Sequence, residues 1–254
     1  MRGLSEKVIV VAGGGSGIGA ASAIRLGEEG ASVVVGDINP NAAEAVAASI
    51  IQSGGRAVAQ QFDAADDSSN AALVGRAIQT YGRLDGIHLN VADMATSRKD
   101  SDVLSLDMAV FDRLVEVNLR GHVSLTRHAL PELLKCGGGS MVYTTSTVTF
   151  VGLPTYSAYP ISKSGLNSLV RHVATAWGQQ GIRCNGIAPG MVLSEHVRST
   201  STNETLEYGK TMTMSPRLGE PSDIAAMAAF LHSEDAFWVN GQILAVDGGA
   251  TMRQ

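Results

Sequence analysis

Val8-Ile9-Val10-Val11-Ala12-Gly13-Gly14-Gly15-Ser16-Gly17-Ile18-Gly19 is the stretch on which the fold turns. Its first five residues are apolar and mostly β-branched, which predicts a buried strand. The glycines that follow permit a tight turn, and the residues after Gly19 suit a helix. A strand, a glycine turn and a helix start aim backbone N–H groups and the positive end of the helix at a pyrophosphate. Glycines alone would mark only a turn; their place between a strand and a helix is what points to a dinucleotide.

The second expected strand, 32–36, ends at Asp37, about 20 residues beyond the glycines, where an acid accepts hydrogen bonds from both hydroxyls of an adenosine ribose and repels a 2′-phosphate. No Arg or Lys adjoins the glycines or Asp37, so NAD is expected rather than NADP.

Downstream the alternation continues. Further strands are expected at 57–61, 84–89, 140–145, 182–187 and 242–246. Asn39-Pro40 reads as an N-cap followed by proline at the first helical position, and Gly54-Gly55 closes that helix. After Tyr159, the apolar residues Leu166, Leu169, Val170, Val173 and Trp177 fall at helical spacing, and Pro221 opens a last helix with Ile224, Met227, Ala228 and Leu231. Apolar strands separated by helices imply an α/β fold: a doubly wound, Rossmann-type parallel sheet of about seven strands with helices on both faces. No linker or repeat interrupts residues 1–254, so one domain is expected. Residues 191–215 break the rhythm, being polar, rich in Thr and Met, and without a period. A loop that long in a compact domain is usually functional, and it is read as a lid.

Charged residues make up 17% of the chain, below the roughly 25% typical of soluble domains. Part of the surface is therefore expected to be covered, most simply by further copies of the chain. With a net charge of −5 and no block of Lys or Arg, neither nucleic acid nor an anionic membrane is an expected partner. No stretch approaches the ~20 apolar residues that span a bilayer. Cys136 and Cys184 form no metal-ligand spacing, so no metal and a reducing, cytoplasmic setting are expected.

Tyr159 and Lys163, four apart in a helical pattern, share one face of one helix. A free tyrosine titrates at ~10 and is a poor base at neutral pH. A neighbouring ammonium and a positive nicotinamide ring favour the phenolate. Bringing the pKa to roughly 7 requires ~4 kcal/mol of differential interaction, within reach of two close positive charges in a dry site.

Together with these, Leu89-Asn90-Val91-Ala92, Val117-Asn118-Leu119, Thr145-Ser146, Tyr159-Pro160-Ile161-Ser162-Lys163, Asn185 through Pro189-Gly190, and Val246-Asp247-Gly248-Gly249 occur in an order that resembles the short-chain dehydrogenases/reductases of about 250 residues. The resemblance covers essentially the whole chain. It implies that Ser146 hydrogen-bonds the substrate oxygen and that Tyr159 exchanges the proton as general acid/base. Lys163 would hold the nicotinamide ribose and lower the tyrosine pKa, and Asn118 would position a water that carries the proton towards solvent. Gly13, Gly17 and Gly19 match the phosphate-loop glycines, with Ser16 and Ile18 between them. Asp63, beside Ala64, matches the acid near adenine, and Asn90 is retained at the cofactor. Pro189 and Gly190 lead to Val192 and Ser194, the positions that hold the carboxamide. The family commonly assembles as tetramers through two long helices and the last strand, so a homotetramer is expected.

The chain departs from that pattern in two places. Ala12 stands where the family usually has Thr, which removes a strand-bridging hydroxyl worth roughly 1 kcal/mol. Val91-Ala92-Asp93 replaces a smaller, apolar run, adding bulk near the adenosine and a charge at the pocket edge. Asp93 is expected to contact a polar substrate group or to pair with Arg98. Other expected substrate positions are Ser146, Thr147, Tyr156, Gly190, Met191 and, on the lid, His196, unless that histidine is simply solvated. The Met and aromatic character suggests an apolar alicyclic or aromatic secondary alcohol, steroid-like or cyclic, interconverted with its ketone. The alternatives are a 3-oxoacyl-carrier-protein reductase-like enzyme and an inactive dinucleotide-sensing scaffold.

Overall fold

In the computed structural model, residues 1–252 are described, and Arg253 and Gln254 lie outside the described residues. The chain runs β1 (Val8–Ala12), α1 (Gly17–Glu28), β2 (Ser32–Asp37), α2 (Pro40–Gln52), β3 (Arg56–Gln61), α3 (Asp67–Tyr81) and β4 (Gly86–Leu89). It continues through α4 (Met94–Ser97), α5 (Met108–Val115), α6 (Gly121–Lys135), β5 (Gly139–Thr144), α7 (Ala158–Trp177) and β6 (Ile182–Pro189). The last elements are α8 (Glu195–Thr200), α9 (Asn203–Met212), α10 (Pro221–His232) and β7 (Ile243–Val246).

All five residues of β1 are buried, because successive side chains enter different cores. Val8, Val10 and Ala12 join the cluster shared with α3, α6 and α7, while Ile9 and Val11 join the one shared with α1 and α2. Each fully buried Val or Ile contributes roughly 1.5–3 kcal/mol, so a strand that is apolar on both faces is stable only inside a doubly covered sheet. The seven strands are parallel and ordered β3-β2-β1-β4-β5-β6-β7. Strand order reverses between β1 and β4, and a crevice opens there beyond the carboxyl ends of the strands.

Local chemistry sets the element ends. The Asn39 side chain accepts from Ala42 N with Pro40 at the first turn of α2. Glu220 and Asp223 form a reciprocal capping box on α10. β4 starts at Gly86, later than the apolar pattern suggests, because Asp85 turns to accept from Val8 N at 3.0 Å and to bind Arg83. Residues 191–215 are not the irregular loop that their composition suggests. They fold into α8 and α9, started by Ser194 and Thr202, whose side chains accept from Val197 N and Thr205 N. Of α8 and α9 only Gly209 is buried, so no apolar stripe exists for a periodicity reading to find.

α5 and α6 are one continuous helical run, joined by a π-helical turn at Glu116–Arg120. Such turns insert one residue into a helix and gather at functional sites. This one carries Asn118.

Candidate active site

The crevice is a cleft of about 1000 Å³. At one end lies the glycine turn. Gly13 has φ 78°, a left-handed conformation that favours glycine. A Cβ on Gly19 would lie 1.8 Å from the Gly13 carbonyl oxygen, so only glycine lets α1 start this close to β1. Ser16, Gly17 and Ile18 face the cleft. Ser16, at the N-cap of α1, makes no side-chain capping hydrogen bond, which leaves the first-turn N–H groups to a ligand.

Asp37 closes β2 over this turn. Its Oδ2 accepts from Gly15 N at 2.8 Å and its Oδ1 from Asn39 N at 3.0 Å, which fixes the carboxylate while each oxygen keeps a lone pair. The only Lys or Arg residues among those lining the cleft are Arg113 and Lys163, so no cation stands at Asp37 to receive a 2′-phosphate. Asp63, Ala64 and Asn90 line the same cleft, as do Pro189, Gly190, Val192 and Ser194 on the far wall. The lining fits a dinucleotide in its chemistry: open backbone amides suit phosphates, and a carboxylate with no cation beside it suits ribose hydroxyls.

At the other end α7 brings Tyr159 and Lys163 to the cleft, and the end of β5 brings Ser146. The Lys163 ammonium is buried and donates to Thr144 O at 2.9 Å and to Val91 O at 3.4 Å. Burial lowers its pKa to about 7. The loss of water contact pushes the Tyr159 phenol up to about 12, with hydrogen bonding to Ser146 pulling the other way. Lys163 Nζ lies 5.9 Å from the Tyr159 ring centroid and is turned towards the two carbonyls. The phenol thus stands above its ordinary range beside the ammonium alone, and the second positive charge expected from the sequence is that of the nicotinamide ring.

Asn118 is wholly buried behind the cleft wall. Its Oδ1 accepts from Asp93 N at 2.8 Å, and its Nδ2 donates to Ser162 Oγ at 3.3 Å. Ser162 in turn donates to Tyr159 O at 2.8 Å, so the π-turn is tied to the backbone of the tyrosine. A second tie has no sequence signal. The Asp100 carboxylate accepts from Ser157 N at 3.3 Å, Ala158 N at 3.1 Å and Tyr159 N at 2.8 Å. It caps α7 from a segment far away in the chain, where one acid among several in 100–107 looks like any other.

The expected substrate positions divide. Ser146, Gly190, Met191, Asp93 and His196 line the cleft; Thr147 and Tyr156 do not. The Thr147 hydroxyl turns away to donate to Pro189 O at 3.1 Å, and Tyr156 sits exposed in the turn before α7. The expected Asp93–Arg98 pair does not form. Asp93 caps α4, accepting from Thr96 N and Thr96 Oγ1 at 2.8 Å each, and binds Arg113 at 3.3 Å. Burial opposes its charge, yet the Thr96 and Arg113 contacts hold its carboxyl below the usual range. Arg98 instead reaches His196 on α8, so that histidine is not simply solvated.

A family profile described as enoyl-(acyl carrier protein) reductase matches residues 12–251. A probable short-chain type dehydrogenase/reductase of Bradyrhizobium diazoefficiens is 37% identical, covering 96% of this chain and 86% of its own length. The 7α-hydroxysteroid dehydrogenase of Escherichia coli K12 is 38% identical, over 97% of this chain and 94% of its own. A solved structure of a 7α-hydroxysteroid dehydrogenase in complex with NADH and 7-oxo glycochenodeoxycholic acid superposes with a TM-score of 0.92 at 37% identity, covering 99% and 96% of the two chains. No helix among the described residues is long and apolar enough to cross a membrane.

Proposed function

The chain belongs to the short-chain dehydrogenase/reductase family, and from that premise we propose that it is an NAD-dependent oxidoreductase that interconverts a secondary alcohol and a ketone. The observation that carries this reading is the meeting, in one cleft, of Ser146, Tyr159 and Lys163 with the glycine turn and Asp37. A sensing scaffold would need the glycine turn but not the proton-handling groups.

When bound, the dinucleotide supplies the carbon that takes or gives the hydride and, in its oxidised form, a positive charge beside the phenol. Ser146 hydrogen-bonds the alcohol oxygen and orients it on Tyr159. The Tyr159 phenolate takes the hydroxyl proton as the C–H bond breaks and the carbonyl forms; in reduction the phenol returns that proton. Lys163 holds the nicotinamide ribose, and its ammonium together with the oxidised ring lowers the pKa of the phenol, from which protons leave for solvent. Asn118 positions a water that passes them outward. Asp63, Ala64 and Asn90 flank the adenosine, and Val192 and Ser194 hold the carboxamide. Met94, Ala95, Met191 and Val197 give the substrate end a largely apolar lining, suited to an alicyclic or aromatic alcohol. Relatives named for hydroxysteroids, cyclohexanol and cis-4-hydroxycyclohexanecarboxylate support the same class. Residues 191–215 close over it as a lid, with Asp93 and His196 at its edge.

Oxidation of a panel of cyclic and steroid alcohols, followed as NADH absorbance, tests the reading. Turnover is expected with NAD and not with equal NADP, and Asp37→Ser is expected to erode that preference by about tenfold or more. A chain that turns over NADP faster than NAD would overturn the role of Asp37. Inertness towards the whole panel in both directions would overturn the substrate class.

We also propose a cytoplasmic homotetramer. Met108 on α5, Val123 on α6, Ile161 on α7 and Trp238 are exposed, and β7 ends the sheet as an edge strand. On a sizing column the chain is expected at about four times its 26.4 kDa; elution as a monomer would overturn the assembly.

A further inference from the structure

From behind the cleft wall a line of side chains runs out to Asn90, and two of its members, His88 and Thr144, have no part in the roles above. His88, in β4, is wholly buried, and its Nε2 lies 2.9 Å from Thr144 Oγ1 at the end of β5. Thr144 Oγ1 lies 2.8 Å from Asn90 Oδ1, and Asn90 Nδ2 lies 3.1 Å from the Gly13 carbonyl oxygen. Gly13, Asn90 and Thr144 line the cleft; His88 does not.

The direction of every bond follows from the last one. A backbone carbonyl only accepts, so the Asn90 amide must turn its NH₂ to Gly13 and its oxygen to Thr144. That oxygen also only accepts, so the single hydroxyl hydrogen of Thr144 goes to Asn90. Thr144 Oγ1 is then left to accept, and His88 must carry its hydrogen on Nε2. The other ring nitrogen, Nδ1, is buried without a partner, so this tautomer leaves a lone pair there rather than an unsatisfied N–H. Donors therefore point one way, His88 to Thr144 to Asn90 to Gly13. At its other end Thr144 gives its main-chain carbonyl to the Lys163 ammonium. One residue thus joins the glycine turn to the proton-handling lysine.

We propose that His88 is a positioning residue for the dinucleotide: by donating to Thr144 it commits the Thr144 hydroxyl to Asn90, and so fixes the peptide of Gly13 in the orientation that presents the glycine turn to the phosphates. An apolar residue at 88 would remove the donor that anchors Thr144 Oγ1, loosening the hydroxyl's hold on Asn90 and, through it, the hold on Gly13. The proposal rests on the NAD reading above.

The test is NADH affinity, measured by titration of protein fluorescence, alongside steady-state kinetics at saturating NAD. His88→Leu keeps the volume and removes the donor; its NADH Kd is expected to rise about tenfold, with kcat at saturating NAD within about twofold of the parent. His88→Gln restores an N–H donor and is expected to bind within about twofold of the parent. Thr144→Val cuts the line at its second member, and adding it to His88→Leu is expected to weaken binding no further, since coupled residues are not additive. The proposal is overturned if His88→Leu binds NADH as the parent does, if the Leu and Gln variants weaken it equally, or if the double variant is additive. Should His88→Leu not fold, Thr144→Val alone decides: unchanged NADH affinity overturns the proposal and a rise supports it. If the parent binds no NADH, the cofactor reading itself falls and this proposal with it; loss confined to the variants leaves that reading intact.

Discussion

Tyr159→Phe is expected to lower kcat for alcohol oxidation by about 10²–10⁴-fold, the span of a positioned general base, while NADH affinity changes by less than about threefold. The substitution removes one oxygen and keeps the ring that packs against Val110, Leu114 and Ala158. Everything that orients residue 159 from behind is backbone: Asp100 holds its N–H, and Ser162 holds its carbonyl. The variant should therefore fold and bind the dinucleotide normally, and its failure should fall on the chemical step alone. Steady-state rates with NAD and a responsive alcohol, paired with NADH titration, check this. Activity that survives would remove Tyr159 from the mechanism; activity and affinity lost together would make it structural.

A second large effect is expected in acid. His88 and His122 are buried, and burial lowers their pKa values to about 4 and about 3, the nearby Lys163 charge adding to the effect at His122. Unfolded, each titrates near ~6.5. Between those values the unfolded chain binds protons that the folded chain refuses, so stability is fully present above pH ~6.5 and falls as the pH drops below it. At pH 4.5 each histidine has lost two pH units of that difference, so the pair costs roughly 5 kcal/mol. That is comparable with the whole stability of a typical domain. His232, whose pKa burial also lowers, acts in the same direction. Urea unfolding is expected to show a midpoint far lower at pH 4.5 than at pH 7.5, and His122→Leu is expected to flatten that dependence by about a third. Equal midpoints at the two pH values would mean that these imidazoles accept protons in place.

Most of the frame, and the chemistry along it, can be read from the residues in order. β1 and the glycine turn announce themselves because strand, turn and helix are contiguous. Tyr159 and Lys163 share a helix, and Asp37 ends a strand built on Val33, Val34 and Val35. What escapes such a reading is created by folding. Asp100 reaches α7 only because the chain between α4 and α5 returns to it, and Arg98 finds His196 rather than Asp93 only once α8 is in place. The π-turn at Asn118 has no local composition to mark it, and α8 and α9 bury too little to leave a period. His88 was the most hidden: in sequence it is one more residue in an apolar strand, and its partner Thr144 is 56 positions away.

That π-turn constrains more than the residue it carries. Each residue added to an α-helix turns everything beyond it by about 100°. With Glu116–Arg120 one residue over-full, Val110 and Leu114 face the small core at Ala158 while Leu125, Ala129 and Leu133 face the main core under the sheet. The turn therefore works as a phase keeper between two cores, taking up the extra residue without turning either set away. Deleting a single residue from 116–120 would restore regular hydrogen bonding and keep both sets on their cores, whereas adding one or deleting two would rotate one set out by about 100°. The composition of this stretch can vary, but its length only by the one residue that the turn absorbs.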